Sequence, residues 1–414
     1  MRVLQVHNRY RSAAPSGENR VVDIEGAALR DLGHEVARFE RFSDDIESWS
    51  RLRKATMPAK VVWSQESRRE LGAQLRAWRP DVVHVHNTFP LLSSSVLYAC
   101  RDAAVPVVAT LHNYKLACAS GDFFRQGTVC HDCAHGPPTP AVLHGCYRNS
   151  RLATAPLALA TALHRSAWRS LVSAYILISK SQASLLGGLQ LPAGRVFIRD
   201  NLIPRRSVPA ATSEPMLVYA SRLDETKGAR LLMAGWDRYL STEPGAGTRL
   251  RLAIAGAGPL SAEVAAWAAS RPSVQLLGQL DAAACASLVA RSAAVLVPSA
   301  WEETFGLVVV EAMALGVPPI AAGHGSLPEL VTAGVDGTLF RPGDPEALAA
   351  AISDVAGNPA RYKGYGDQAR QTYERRFNPE RSLRELVGIY EYAVANPATA
   401  GAESGGRADG RGRE

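Results

Sequence analysis

"AAVLVPSAWEETFGLVVVEAMALGVPPIAA", residues 293–322, reads as strand, loop, helix and strand. The first apolar run, Ala293–Pro298, is strand length and stops at a proline. The second, from Thr304 to about Gly316, is helix length and closes on glycine, a residue suited to a helix C-terminus. PPIAA (318–322) resumes strand character. Parallel neighbours need a crossover between them, so a unit of this kind belongs to a parallel α/β sheet.

The same alternation extends outward. MLVYAS (216–221), RLAIAG (251–256) and SVQLLG (273–278) are further strands of this half. In the first half, VLQVH (3–7), HEVARFE (34–40), DVVHVH (81–86), VPVVATLH (105–112) and AYILIS (174–179) alternate with helix-like stretches such as Glu18–Leu32 and Glu66–Trp78. A chain of 414 residues is too long for one core. Two Rossmann-like, doubly wound α/β domains are therefore expected. The break falls near "DNLIPRRSVPAATSEP" (200–215), whose three prolines interrupt the periodicity. The expected division is 1–203, 204–378, a helix over 379–395 packing back toward the first domain, and a disordered tail over 396–414.

Charge is divided unevenly. Residues 1–203 carry 25 Lys and Arg against 16 Asp and Glu, while the remainder carries 21 against 23. A basic first half suits an acidic partner, either a phosphorylated substrate or an anionic membrane surface, or else is a solvated arginine-rich face. No zinc-finger, helix-turn-helix or RNA-binding signature appears, which argues against nucleic acid. The opening "MRVLQVHNRYRS" turns polar after six residues, and Ala153–Leu163 is too short to span a bilayer. The expectation is a cytoplasmic chain, with peripheral contact at a membrane's inner face as an option.

Ligands of open α/β sheets gather at the carboxyl ends of strands, and each polar motif sits there. In "VYASRLDETKGARLL" (218–232) a strand runs into Arg222, Lys227 and Gly228. A guanidinium, an ammonium and nearby helix N–H groups make a diphosphate cradle. Only six of the 46 cationic residues are lysines, which makes Lys227 stand out. "IAGAGPL" (254–260) fails as a dinucleotide fingerprint, because Pro259 and Leu260 follow where x-x-G is required. It reads as a turn that lets a ligand approach the backbone. Glu303 precedes the helix of the opening stretch, and Glu311 is expected about two turns inside it. Two turns is about 11 Å, whereas a hydrolytic carboxylate pair stands about 5–9.5 Å apart. The two acids would instead touch different parts of one extended ligand, with N–H groups of Phe305–Val308 between them.

These motifs resemble the retaining nucleotide-sugar glycosyltransferases of family 4, which have the GT-B fold of two facing Rossmann-like domains across a cleft. Glu303 and Glu311 match the family's E-x7-E pattern, and Arg222, Leu223, Lys227 and Gly228 its R-L-x-x-x-K-G loop. "SGENRVVDIEGAALRDLGHEV" (16–36), "PDVVHVHN" and "TLHNY" resemble its first-domain landmarks. The resemblance implies a hexosyltransferase acting without a catalytic metal, in surface polysaccharide or glycolipid assembly, on a sugar or lipid-linked acceptor. It implies that Arg222 and Lys227 hold the donor diphosphate, Glu311 the ribose, and Glu303 the sugar. Backbone of Phe305, Gly306 and Leu307 would touch the donor, and backbone around Gly278–Leu280 the base. Gly17 would approach the phosphates, and His112 would face the sugar across the cleft. Ser16 stands where many relatives have a second glycine. A sugar-nucleotide epimerase and a non-catalytic sugar-nucleotide-binding subunit are the alternatives; the complete E-x7-E pattern speaks against the first.

The insert 113–150 holds four of the six cysteines, Cys118, Cys130, Cys133 and Cys146, including one C-x2-C pair. Such a set can ligate a structural zinc, with His131, His135 or His144 as substitute ligands. An iron–sulfur cluster or free thiols are the other readings. The insert directly follows His112, which places it on the acceptor side of the cleft.

Overall fold

The computed structural model describes residues 1–12, 16–205, 213–242 and 245–398; the proposed tail falls, from 399 onward, outside them. Strands β1 (Arg2–Arg9), β2 (Glu35–Phe42), β3 (Val82–Asn87) and β4 (Val107–Leu111) begin the first sheet. After a hairpin of β5 (Phe124–Arg125) and β6 (Thr128–Val129), β7 (Ala174–Leu177) and β8 (Val196–Ile198) complete it, in the order β2-β1-β3-β4-β7-β8. The second sheet contains β9 (Met216–Ala220), β10 (Arg251–Ala255), β11 (Val274–Gly278), β12 (Ala294–Val297), β13 (Pro319–Ala322) and β14 (Thr338–Phe340), in the order β11-β10-β9-β12-β13-β14. Every pairing within the two large sheets is parallel. The chain is thus two doubly wound α/β domains. The outer strands β8 and β14 have three residues each, too few to print an apolar run in the sequence.

Central strands β3 and β4 are buried at every position. Helices cover both faces, so neither strand has a solvent-facing side. Burial on both faces has a cost: His84, His86 and Asn87 lie within the sheet and need partners. The helix Pro379–Ala395 leaves the second domain and lies on the back of the first sheet. Its Leu383, Leu386, Ile389, Tyr390 and Ala393 pack with Val3, Val82, Val108, Ala174 and Ile176. The Tyr390 hydroxyl and His84 Nδ1 are 2.7 Å apart. Beside them, buried Arg199 donates to Glu25 Oε1 at 2.6 Å and to the Ser382 carbonyl at 2.9 Å.

Candidate active site

The loop after β9 is built around Asp224. Its Oδ1 accepts from the Lys227 amide at 2.9 Å and from Thr226 Oγ1 at 2.7 Å, and its Oδ2 accepts from Arg222 Nε at 2.8 Å. The Tyr219 hydroxyl donates from beneath to the Arg222 carbonyl at 2.8 Å. Gly228 closes the loop at φ +73°, and a Cβ there would stand 1.7 Å from the Pro298 carbonyl oxygen. Only glycine lets this loop lie against the end of β12. The "IAGAGPL" turn has a different partner from the one its sequence suggests. A Cβ on Gly256 would fall 1.9 Å from the Ser221 oxygen, and one on Gly258 would fall 2.4 Å from that of Leu223. What approaches these glycines is the Arg222 loop itself.

Glu303 meets this loop. Its Oε1 accepts from Lys227 Nζ at 2.6 Å and from Ser299 Oγ at 2.7 Å. The side chain is buried, which opposes its charge, but Lys227, Ser299 and Trp301 more than offset this and hold the carboxyl below the usual range. The Lys227 ammonium also stands 5.0 Å from the centre of the Trp301 ring. Trp301 in turn packs against the first domain's core. The helix that follows begins later than its apolar run implies: Gly306 takes φ +92° as the cap, and Leu307 is the first helical residue. Phe305 and Thr304 remain in the buried loop. Glu311 therefore stands little more than one turn inside, about 6 Å along the axis. It pairs with Arg20 from the first domain's helix Gly17–Asp31.

Other groups close the same seam. A Cβ on Gly17 would fall 2.6 Å from Leu307 Cδ1. Thr304 Oγ1 donates to the His112 carbonyl at 2.9 Å, the Tyr114 hydroxyl donates to the Glu302 carbonyl at 3.1 Å, and His131 contacts the Glu302 carboxylate. Gly278 ends β11 at φ +63°, its carbonyl accepting from the Gly256 amide. Arg222, Lys227, Glu303, Glu311, Gly17 and the backbone of His112 are thereby brought to one interdomain seam.

The His112 ring turns into the first domain, with its Nε2 3.0 Å from His86 Nδ1. His84 lies over His86, and His7 lies edge-on to it. His84 also pairs with Thr110 Oγ1, and His7 with Asn19 Oδ1. Burial drives all four toward the neutral form, with His112 near 3, His7 near 4, and His84 and His86 well below normal. His86 Nε2 is buried without a partner. An unpaired lone pair there costs less than an unpaired N–H, which favours the tautomer of His86 that donates from Nδ1 to His112.

The sequence reading missed a polar patch beside His112. Glu18 accepts from Asn113 Nδ2 at 2.7 Å and from the Tyr10 hydroxyl at 3.3 Å. Lys115 is close enough to be felt by Glu18, as Arg222 is by Tyr10. Burial raises the Glu18 carboxyl and lowers the Lys115 ammonium. One signal was present: Glu18 and Asn113 adjoin Gly17 and His112.

All four insert cysteines line one small pocket, together with Asp132 and His144. His131 is committed to Glu302. Among the described residues, a tighter grouping of potential ligands, within 4.8 Å, is Glu25, His84 and His86. There both His84 nitrogens already have partners and Glu25 holds Arg199, so an added cation would meet a guanidinium and displace existing bonds.

Comparison with known proteins agrees with this geometry. The family described as "Glycosyltransferase Family 4" matches residues 15–204, and "Glycosyl transferases group 1" matches 203–372. The chain belongs to the family 4 glycosyltransferases. The transferase is 26% identical over 388 residues to a glycogen synthase of Mycobacterium tuberculosis, covering 92% of this chain and 83% of that one. It is also 26% identical over 394 residues to a D-inositol 3-phosphate glycosyltransferase of Segniliparus rotundus, covering 90% and 83%. Among solved structures, Anabaena HepE with UDP and glucose superposes at a TM-score of 0.64, with 18% identity over 94% of this chain and 99% of that one. Sucrose-phosphate synthase of Thermosynechococcus elongatus superposes at 0.68, with 18% identity over 95% and 99%. These superpositions establish the GT-B fold. Among the described residues, no helix is long and apolar enough to cross a membrane.

Proposed function

We propose that the transferase moves a hexose from a nucleotide diphosphate sugar to an acceptor hydroxyl with retention of anomeric configuration. The observation that carries this reading is the Lys227–Glu303 pair, fixed at strand ends in the interdomain seam with Arg222 beside it. Lys227 and Arg222 hold the diphosphate and stabilise charge on the leaving group as the glycosidic bond breaks. Glu303 orients Lys227 and meets the sugar. Glu311 takes the ribose hydroxyls, exchanging Arg20 for them. His112, neutral at physiological pH, offers Nδ1–H to a sugar hydroxyl and transfers no proton. Tyr10, Glu18, Asn113 and Lys115 line the acceptor side. HepE was solved with UDP and glucose and with UDP-glucose, so uridine donors head the test set. A thermal-shift panel of nucleotide sugars, followed by turnover and anomer analysis by NMR, tests the reading. One donor class should raise the melting temperature and be turned over to a retained anomer. An inverted product would refute the mechanism, and stabilisation without transfer in any acceptor extract would favour a binding subunit.

We propose further that the acceptor is lipid-linked and met at an anionic membrane surface, in surface polysaccharide or glycolipid assembly. Leu152, Leu159 and Leu163 fall on one face of the helix Arg151–Leu171 and are at least half exposed, as are Leu52 and Leu143. Arg51, Arg53, Lys54, Arg148 and Arg151 belong to the same segments. Apolar residues rimmed by cations suit anionic headgroups. Sedimentation with phosphatidylglycerol vesicles should exceed that with phosphatidylcholine and fall with salt. Equal, salt-insensitive partitioning would refute this surface.

A further inference from the structure

We infer that the 113–150 insert is a metal module in which Cys118, Cys130, Cys133 and Cys146 together bind one zinc ion. The cysteines come from three separate turns. Cys118 closes the turn after β4, its amide donating to the Tyr114 carbonyl at 2.7 Å. Cys130 and Cys133 follow the β5–β6 hairpin, whose Gln126 and Gly127 both take positive φ, as a tight two-residue turn requires. The C-x2-C segment then folds on itself through Ala134 N to the His131 carbonyl at 2.9 Å. Cys146 comes from the far side, just after Gly145 ends the short helix Thr139–His144 in the left-handed conformation. Chain segments 28 residues apart in sequence thus deliver four sulfurs to one cavity.

One edge of the insert is anchored in the first domain's core by Tyr114, Ala117, Cys118, Phe123 and Ala134. The side that carries Cys133 and Cys146 has only the small cluster of Ala119, Cys133, Ala141 and Leu157, little core for that stretch. Small units with so little core use disulfides or metal. All four cysteines are thiols in the structure. The free space of this pocket is about that of one water-sized sphere, room for an ion and not for a cluster of several irons and sulfides. The sulfurs lie outside mutual ligating distance, and ligation at about 2.3 Å from the ion draws them inward. His144 and Asp132 stand at the rim and remain outside the four-sulfur shell.

The module also bears on the donor loop. His131, inside the C-x2-C segment, contacts the Glu302 side chain, and Tyr114, held by Cys118, donates to the Glu302 carbonyl. Glu302 immediately precedes Glu303. An ordered insert therefore braces the segment that carries the Lys227 partner, and zinc acts here as a structural strut.

Metal analysis of full-length protein expressed with zinc supplementation decides the matter. One zinc per chain is expected, with release of the ion when the thiols are titrated by a mercurial. Replacement of zinc by cobalt should give the visible bands of a tetrahedral thiolate site. Cys130→Ser and Cys133→Ser should each lower bound zinc more than tenfold, whereas Cys285→Ser, outside the cavity, should leave it unchanged. Less than a tenth of an equivalent in the wild type, a brown iron–sulfur chromophore, or disulfides linking these cysteines would each overturn the inference. Because the wild-type content is read directly, the test stands even where a serine variant misfolds, and it is independent of the donor reading.

Discussion

Replacing Lys227 by methionine should slow sugar transfer by a factor of about 100 to 1,000 at saturating donor, the usual loss when a donor to developing charge is removed. The same change should destabilise the protein. It strands the Glu303 carboxylate, whose side chain is only 7% exposed, without its counter-ion. Breaking such a pair on one side costs about 3–5 kcal/mol. The two effects are separable. Lys227→Met combined with Glu303→Gln removes the uncompensated charge, and apolar or neutral replacement of a buried pair is often nearly neutral. The double variant should regain most of the stability measured by urea unfolding, while transfer stays as slow as in Lys227→Met. Should the rate return together with the stability, Lys227 would be a scaffold for Glu303 and not a partner of the diphosphate.

Acid should unfold the transferase well before its carboxylates titrate. His7 and His112 are held near 4 and 3, against about 6.5 in an unfolded chain, and His84 and His86 are lowered as well. The folded pKa values are depressed, so below pH 6.5 the unfolded state binds more protons. Stability is complete above that pH and is lost as pH falls toward 4. Each histidine contributes a slope of about 1.4 kcal/mol per pH unit. His7 and His112 alone remove roughly 3 kcal/mol each across that window, a large share of a typical domain's stability. Glu18 works in the opposite direction, since its raised carboxyl takes up a proton in the folded state, but it is one group against four. The melting temperature should fall steeply from pH 7 to pH 5. His7→Asn should flatten the slope, and a melting temperature level to pH 5 would contradict the neutral cluster.

The same histidines show where sequence reading stops. DVVHVHN and TLHNY display His84, His86 and His112 at strand ends, but only the order β1-β3-β4 makes them neighbours, and strand order is not written in local periodicity. His112 read as a residue facing the sugar; in the structure its Nε2 edge meets His86, a neighbour that the sequence does not announce. The placement of the Arg222–Lys227 loop and Glu303 at strand ends was legible because a strand and the loop after it are local in sequence. The glycines of "IAGAGPL" were misread for a related reason. A glycine announces that something comes close, but not whether it is a ligand or another loop. The helix start was read early because Thr304–Gly306 is as apolar as the turns that follow, and only the left-handed Gly306 marks the boundary. Arg20 and Trp301 gave no signal, since each acquires meaning only from the opposite domain.

Tyr390 and its apolar neighbours have a consequence for biosynthesis. Translation delivers β1, β3 and β4 early, yet the surface that covers them and the hydroxyl that pairs with His84 emerge only after the whole second domain has been made. The nascent first domain must wait on the ribosome with an open flank, so a chaperone that shields this flank until residue 395 has cleared the exit tunnel would act where exposure lasts longest.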